Sequence, residues 1–331
     1  MPSARTHHRK KSGSTRSGTP LFPERKSRRS TPAYPSVTLI GCGNWGGTLA
    51  LALHEAGVPL REIVLRDKRN ASPASHSYKR RIARAVGARL TTLGRAALDA
   101  DVLWICTPDA SIPSIAKQLT RALASRDRRQ PPVVFHSSGA LASEELSDLR
   151  TVGASVASVH PLMTFPNLSA PQPGPPHSAL AGVPFALEGD VRACRVARRL
   201  VHAVKAEAFA MPAESKPLYH AYGAFASPLL VALLAATEHT GAAAGFSPLQ
   251  ARQRMRPIVE RTIRNFFANG PKKSFSGPIA RGDADTIARH LAALRPYPEL
   301  YAVYRHLAQF AAASLPAKNK HPIQELLQRP F

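Results

Sequence analysis

Apolar and polar positions along this chain fall into two regimes. Between residues 37 and 211, short apolar runs alternate with helically spaced segments. The runs Val37-Thr38-Leu39-Ile40, Glu62-Ile63-Val64-Leu65, Val102-Leu103-Trp104-Ile105-Cys106, Val133-Val134-Phe135 and 155–159 predict strands. Helices are expected over 46–56, 81–86, 112–123 and from about 143, then a strand over 184–190, a basic helix over 191–204 and a strand near 206–211. Such alternation means a doubly wound, mostly parallel α/β sheet. From residue 214 the pattern is helical throughout: 215–244, 257–269 closed by Asn269-Gly270, 284–294 with Asp283 as N-cap, and 298–314.

The first strand runs into Gly41-Cys42-Gly43-Asn44-Trp45-Gly46, a G-x-G-x-x-G between strand and helix. That is the fingerprint of a Rossmann-type dinucleotide-binding unit. Gly41 lets the strand turn, Gly43 leaves no Cβ between backbone and pyrophosphate, and Gly46 lets helix and strand pack closely. The helix N-terminus offers free N–H groups and the positive end of its dipole to phosphates. The fold class expected is therefore α/β. A Rossmann doubly wound domain over 36–212 precedes an all-helical C-terminal domain over 213–331, which serves substrate binding and dimerisation.

The end of the second strand separates the two nicotinamide cofactors. Arg66, with Lys68 and Arg69, suits the 2′-phosphate of NADP, whereas Asp67 alone points to NAD; NADP is expected over NAD. Ligands of open α/β sheets bind outside the carboxyl ends of the strands. Thr107, Pro108 and Asp109, then His136, Ser137 and Ser138, then His160 all fall at such ends. Thr107, Pro108 and His136 are assigned to the cofactor, Ser138 to the chemistry and His160 to the substrate. As caps or loop anchors, Asp109 and the histidines would have purely structural roles.

In 215–244, Lys216, His220, Gly223 and Ser227 share one narrow face, and Leu218, Tyr222, Phe225 and Leu229 form a second, apolar one. His220 is the candidate general acid/base, because an imidazole exchanges protons near neutral pH. Lys216 is its candidate partner one turn away, and Ser227 faces the substrate. Arg281, just before a helix start, is placed to clamp an anionic substrate, and His290, on a common side with Thr286, is assigned to the substrate as well. A surface salt bridge is the alternative for Arg281.

Composition adds limits. The formal charge is +24, and residues 1–35 hold nine Lys or Arg against one Glu, leaving the remaining excess as scattered Arg without aromatic interleaving. A basic, polyanion-attracting but disordered tail over 1–35 fits this pattern better than specific nucleic-acid recognition. Cys42, Cys106 and Cys194 lack metal-like spacing, so no metal is expected and reduced thiols of a cytoplasmic protein are the reading. The expectation is also that no apolar run spans a membrane and that the N-terminus carries no secretory apolar segment.

Taken together, 39–46, 104–109, 136–139, His160-Pro161, 184–190, Tyr219-His220-Ala221, and 277–283 with His290 resemble an uncharacterised bacterial family. Its members carry a Rossmann-like domain followed by a helical domain of unknown function. By wider resemblance the family sits with pyrroline-5-carboxylate reductases, deazaflavin-dependent NADP reductases and 6-phosphogluconate-dehydrogenase-like enzymes. The resemblance implies an NADP-linked oxidoreductase, a small-molecule site between the domains and a homodimer built through the helical domain. Two departures matter: Ala226-Ser227-Pro228 stands where Ala-Ser-Asn is expected, and Lys216 is followed at i+4 by His220 rather than Asn. A nucleotide-binding sensor or scaffold without chemistry is the rival reading.

Overall fold

The computed structural model describes residues 34–65, 73–125, 130–165 and 179–329. Arg66 and its neighbours, the tail before residue 34 and the Pro-rich loop 167–178 lie outside the described residues.

An eight-stranded sheet forms in the order β3-β2-β1-β4-β5-β6-β7-β8. Its strands are β1 (Val37–Ile40), β2 (Leu60–Leu65), β3 (Arg89–Thr92), β4 (Val102–Ile105), β5 (Val133–His136), β6 (Ser155–Pro161), β7 (Pro184–Gly189) and β8 (Glu207–Ala210). Pairing is parallel except between β6 and β7, where Val159 faces Leu187. Strands β1, β4 and β5 are buried at every position, as expected when helices cover both faces of a sheet.

The covering helices are α1 (Asn44–Glu55), α2 (Pro73–Ala85), α3 (Ile112–Ala124) and α4 (Val191–Ala203). On α3 the buried residues Ile112, Ile115, Ala116, Leu119 and Leu123 recur at one-face helical spacing, and a proline in the first turn supplies the fixed φ a helix start tolerates. Residues 143–152 form a 3-10 helix rather than the expected α-helix, closed by Gly153 at φ +81°.

Strand β3 departs from the sequence expectation. It is an edge strand whose four positions are only partly covered, so no apolar run marks it. Glu62 of β2 anchors this edge. Buried to 3% exposure, its carboxylate accepts from the Ala97 and Leu98 amides at 3.0 Å and pairs with Arg89 of β3. Those donors hold its pKa below the usual carboxylate value against the burial that would raise it.

The helical part comprises α5 (Lys216–Ala226), α6 (Pro228–Ala243), α7 (Pro248–Ser274), the short α8 (Pro278–Arg281), α9 (Ala284–Leu294), α10 (Pro298–Ser314) and α11 (Lys320–Gln328). The single helix expected over 215–244 is broken at Ser227, whose φ and ψ are −131° and −81°. Pro228 disfavours helical geometry in the residue before it and cannot continue the ladder, so it begins a new helix. Helix α7 starts nine residues before the predicted position, on a Ser247/Gln250 capping box, and is interrupted at Gly270. Asp283 caps α9 as expected, accepting from the Thr286 amide at 3.0 Å.

A small core of Ile287, Leu291, Ala308, Ala312, Ile323 and Leu327 holds α9, α10 and α11 together. By contrast, α5 and α6 expose apolar side chains; Leu218 is 79% and Phe225 71% exposed. By length and composition alone, Ala213–Ala243 contains an 18-residue window of mean hydropathy 1.5, apolar enough to cross a membrane, where no such run was expected. Its first residues are nonetheless tied to the sheet through Lys216, as described next.

Candidate active site

The glycine turn takes the expected form. Gly41 has φ +107°, and a Cβ there would lie 2.6 Å from the Cys106 carbonyl oxygen. A Cβ on Gly46 would run into the Gly41 carbonyl, so α1 packs directly on the turn. At Gly43, by contrast, φ is −86° and a Cβ would meet no protein atom within 4 Å. The fold itself does not require glycine there, and the open backbone leaves room for a phosphate.

Beside this turn, across the switch point between β1 and β4, a cavity of about 500 Å³ is lined by Ile40, Gly41, Val64, Leu65, Thr107 and Ser114, among others. Thr107 Oγ1 is buried without a hydrogen-bond partner. An orphaned hydroxyl, a cradle that only glycine leaves open and the N-terminus of α1 together fit a dinucleotide. Asn44 is exposed and available to it. Cys42 and Trp45 belong to the interior instead. Burial pushes the Cys42 thiol up to about 11. Trp45 packs on Phe165, Phe185 and Trp104 at centroid distances of 4.7, 5.9 and 6.5 Å. Pro108 is exposed, in sequence between the cavity-lining Thr107 and Asp109.

The loop after β4 is bonded to the loop after β5. Ser138 Oγ donates to Asp109 Oδ2 at 2.7 Å while accepting from the Ala140 and Leu141 amides at 3.2 and 2.9 Å. His136 is fully buried. Its Nδ1 accepts from the Ser138 amide at 3.1 Å and its Nε2 donates to the Ala142 carbonyl at 2.9 Å, which fixes the neutral tautomer. Burial is the largest cause holding its pKa down at about 4. Both ring nitrogens serve the loop, so the expected cofactor contact from the His136 side chain is not available.

Strand β6 contributes Ser158 and, two residues on and on the same side, His160. Lys216, 1% exposed, reaches this strand from the first turn of α5: its Nζ donates to Ser158 Oγ at 2.7 Å and to the Ser138 carbonyl at 3.1 Å. Burial lowers its pKa to about 8, against the opposing pull of Glu188 and Asp109. His160 Nδ1 shares a hydrogen bond of 2.9 Å with the hydroxyl of Tyr219. Burial foremost, and then Lys216, His220 and His136, depress the His160 pKa to about 4; burial raises that of Tyr219 to about 12. His220 is exposed, with its ring centroid 6.2 Å from that of His160.

Ser138, His160, Lys216 and His220 thus come together at the carboxyl ends of β5 and β6, one hydrogen bond from the loop that lines the nucleotide cavity. The sequence reading left Tyr219, Ser158 and Gly139 out of this group. Tyr219 adjoins His220 in the chain, and Ser158 shares its strand face with His160, so both had a local signal.

The expected substrate residues Ser227, Arg281 and His290 are not brought into the group. Ser227 sits at the break between α5 and α6. Arg281 ends α8, 65% exposed, with Asp283 at 4.0 Å. His290 bonds the Tyr304 hydroxyl at 2.9 Å and lines a separate, largely apolar cavity of about 600 Å³ among α6, α8, α9 and α10. The reason is packing: α8–α11 close on their own core rather than on the sheet.

Two family models match. The Rossmann-like domain covers residues 23–161, and the domain of unknown function DUF2520 covers residues 183–311. No curated protein matches. Among solved structures, the chain is similar to a Bacteroides fragilis protein assigned as an NADP oxidoreductase, at 18% identity and TM-score 0.65, over 83% of this chain and 97% of that one. It is similar to an imine reductase of Myxococcus stipitatus in complex with NADP+, at 15% identity and TM-score 0.59, over 89% and 100%. It is similar also to a reductive aminase of Aspergillus terreus in complex with NADPH and ethyl-5-oxohexanoate, at 13% identity and TM-score 0.59, over 88% and 99%. At such identities the likeness establishes the fold, and the chain joins a Rossmann-like domain to a C-terminal domain of the DUF2520 family.

Proposed function

We propose that this protein is an NADP-dependent oxidoreductase acting on a small substrate bound where the sheet meets α5. The observation that carries the reading is the hydrogen bond from Ser138 to Asp109, which joins the loop lining the nucleotide cavity to the loop on which Lys216, His160 and His220 converge. Gly41, Gly43 and the N-terminus of α1, facing the pyrophosphate, together with Thr107 would hold the dinucleotide. A bound nicotinamide supplies or accepts the hydride. The preference for NADP rests on Arg66 in the sequence and is in keeping with the ligands of the similar imine reductase and reductive aminase.

The chain's own residues then handle the proton. His220, exposed beside His160, is the group open to a substrate, and it gives or takes the proton of the reacting heteroatom. Its ring is set against Gly139, and His160, held by Tyr219, backs it. Lys216 is enclosed; it holds the Ser138 loop and Ser158 in place and places a positive charge, near its titration point, behind the site. The exposed apolar side of α5 supports a homodimer formed through the helical part.

Paired calorimetric titrations with NADPH and NADH test the first half. Tight NADPH and weak NADH binding is expected; no binding of either removes the oxidoreductase reading. A screen of imines, ketones and hydroxyacids with NADPH tests the second half. Tight cofactor binding with no turnover on any of them selects the rival sensor reading, which the enclosure of Lys216 favours.

A further inference from the structure

Helix α4 has two sharply different sides. Ala193, Ala197, Leu200 and Val201 are buried against the sheet. On the outer side every exposed position after Val191 is basic: Arg192, Arg195, Arg198, Arg199 and His202. The helix contains no acidic residue, whereas surfaces of soluble proteins ordinarily intersperse both signs.

Several exposed arginines elsewhere meet carboxylates, Arg150 with Glu144 and Asp190, Arg252 with Glu238, and Arg256 with Glu260, whereas others such as Arg61, Arg261 and Arg264 stand singly among the described residues; what sets α4 apart is that its basic residues share one face of one helix. Among the described residues no ion pair engages Arg192, Arg195 or Arg198. Arg192 and Arg198 donate only to the carbonyls of Pro131 and Ala208, at 3.0 and 3.2 Å. The nearby acids Glu188 and Asp190 are committed to Ser143 and to Val156 and Arg150; Glu207 is the exposed acid of the adjoining strand.

The basic face borders a cavity of about 530 Å³ lined by Arg195, Arg198, Arg199, His202 and Tyr34. The Tyr34 ring stacks under the Arg199 guanidinium, 5.7 Å from its centroid. The residues leading into Tyr34 carry the basic excess of the N-terminal 35.

We propose that the outer face of α4 docks the phosphate backbone of double-stranded nucleic acid, without sequence preference. From Arg192 to Arg199 the helix rises about 10 Å, enough to meet several phosphates of a duplex. No aromatic row accompanies the arginines, so stacking on unpaired bases is not offered. The apolar side of α4 is turned into the sheet, so nothing remains to insert into a bilayer, which argues against a lipid surface. The inference is independent of the oxidoreductase reading, because α4 lines neither the nucleotide cavity nor the Ser138 group.

The test is fluorescence anisotropy with the full chain and labelled DNA duplexes of two unrelated sequences, at salt from about 50 to 200 mM. Equal binding of both sequences is expected, with log affinity falling linearly against log salt. The triple variant R195A/R198A/R199A should lower the magnitude of that slope by about 2.7, and R195A alone by about 0.9. R261A/R264A on α7 should leave it unchanged. Circular dichroism confirms that the triple variant is folded, and the single variant serves if it is not. Absence of duplex binding at low salt overturns the proposal. So does an unchanged slope in both α4 variants, which assigns the binding to the N-terminal charges alone. Binding to phosphatidylserine vesicles but not to duplex overturns it in favour of a lipid partner.

Discussion

His160 and His220 converge on the bare Cα of Gly139, with ring centroids 6.2 Å apart. A Cβ on Gly139 would lie 2.8 Å from His160 Nε2 and 2.7 Å from His220 Cδ2, so the glycine sets how closely the two rings approach the loop. One ring comes from β6 and the other from α5; only the folded chain brings both against the loop after β5.

Gly139→Ala is therefore expected to push at least one ring away. The strain should cost about 1–3 kcal/mol in a denaturant melt. Turnover should fall more than tenfold, while NADPH affinity measured by calorimetry stays within about twofold. A melt and a turnover equal to wild type would show that the rings have room to move aside.

Gly41→Ala and Gly43→Ala should separate fold from ligand. The first puts a side chain at φ +107° against the Cys106 carbonyl and should destabilise by more than about 2 kcal/mol. The second fits its backbone and meets nothing, so the melt should move by less than about 0.5 kcal/mol while NADPH affinity drops about tenfold or more. Undiminished cofactor binding by Gly43→Ala would place the phosphates elsewhere.

His220→Gln should lose turnover by about 100-fold or more with cofactor affinity intact, as expected of a proton-transfer group. Intact turnover would remove His220 from the mechanism and leave its neighbours to be tested.

Acid should unfold the protein through His136 and His160. Both are held near 4 in the folded state against an ordinary value of 6.5, so the unfolded chain takes up protons first as pH falls. Their neutral forms support full stability above about pH 6.5, and stability is lost progressively down to about pH 4. His160→Gln should flatten that loss by on the order of 3 kcal/mol in melts across this range. An unchanged pH profile would show that folding does not depress the His160 pKa.

Leu218→Glu with Phe225→Glu places two charges on the exposed side of α5. Sedimentation should show the dimer dissociation constant rising at least about a hundredfold. A wild-type protein that sediments as a monomer at every concentration would end the dimer proposal.

The central sheet was legible because its strands are unbroken apolar runs and its first turn needs glycine at defined points. Strand β3 was not, since an edge strand such as Arg89-Leu90-Thr91-Thr92 has little core to contact and is held by Glu62 from its neighbour. The break at Ser227 had a local sign in Pro228 that the strong apolar pattern of 215–244 masked. The grouping of Ser138, His160 and His220 followed from strand ends and helical spacing. Arg281 and His290 were misplaced because sequence spacing cannot say which core a helix closes on, and theirs is the small one around Ile287 and Leu291.

Helix α5 is only about 16 Å long, yet it carries Lys216 and His220 on one side and Leu218, Tyr222 and Phe225 on another. Whatever covers the apolar side also steadies the rod on which the imidazole is mounted. Mass action then reaches the chemistry: specific activity should rise with protein concentration and saturate, as if the protein were an activator of itself.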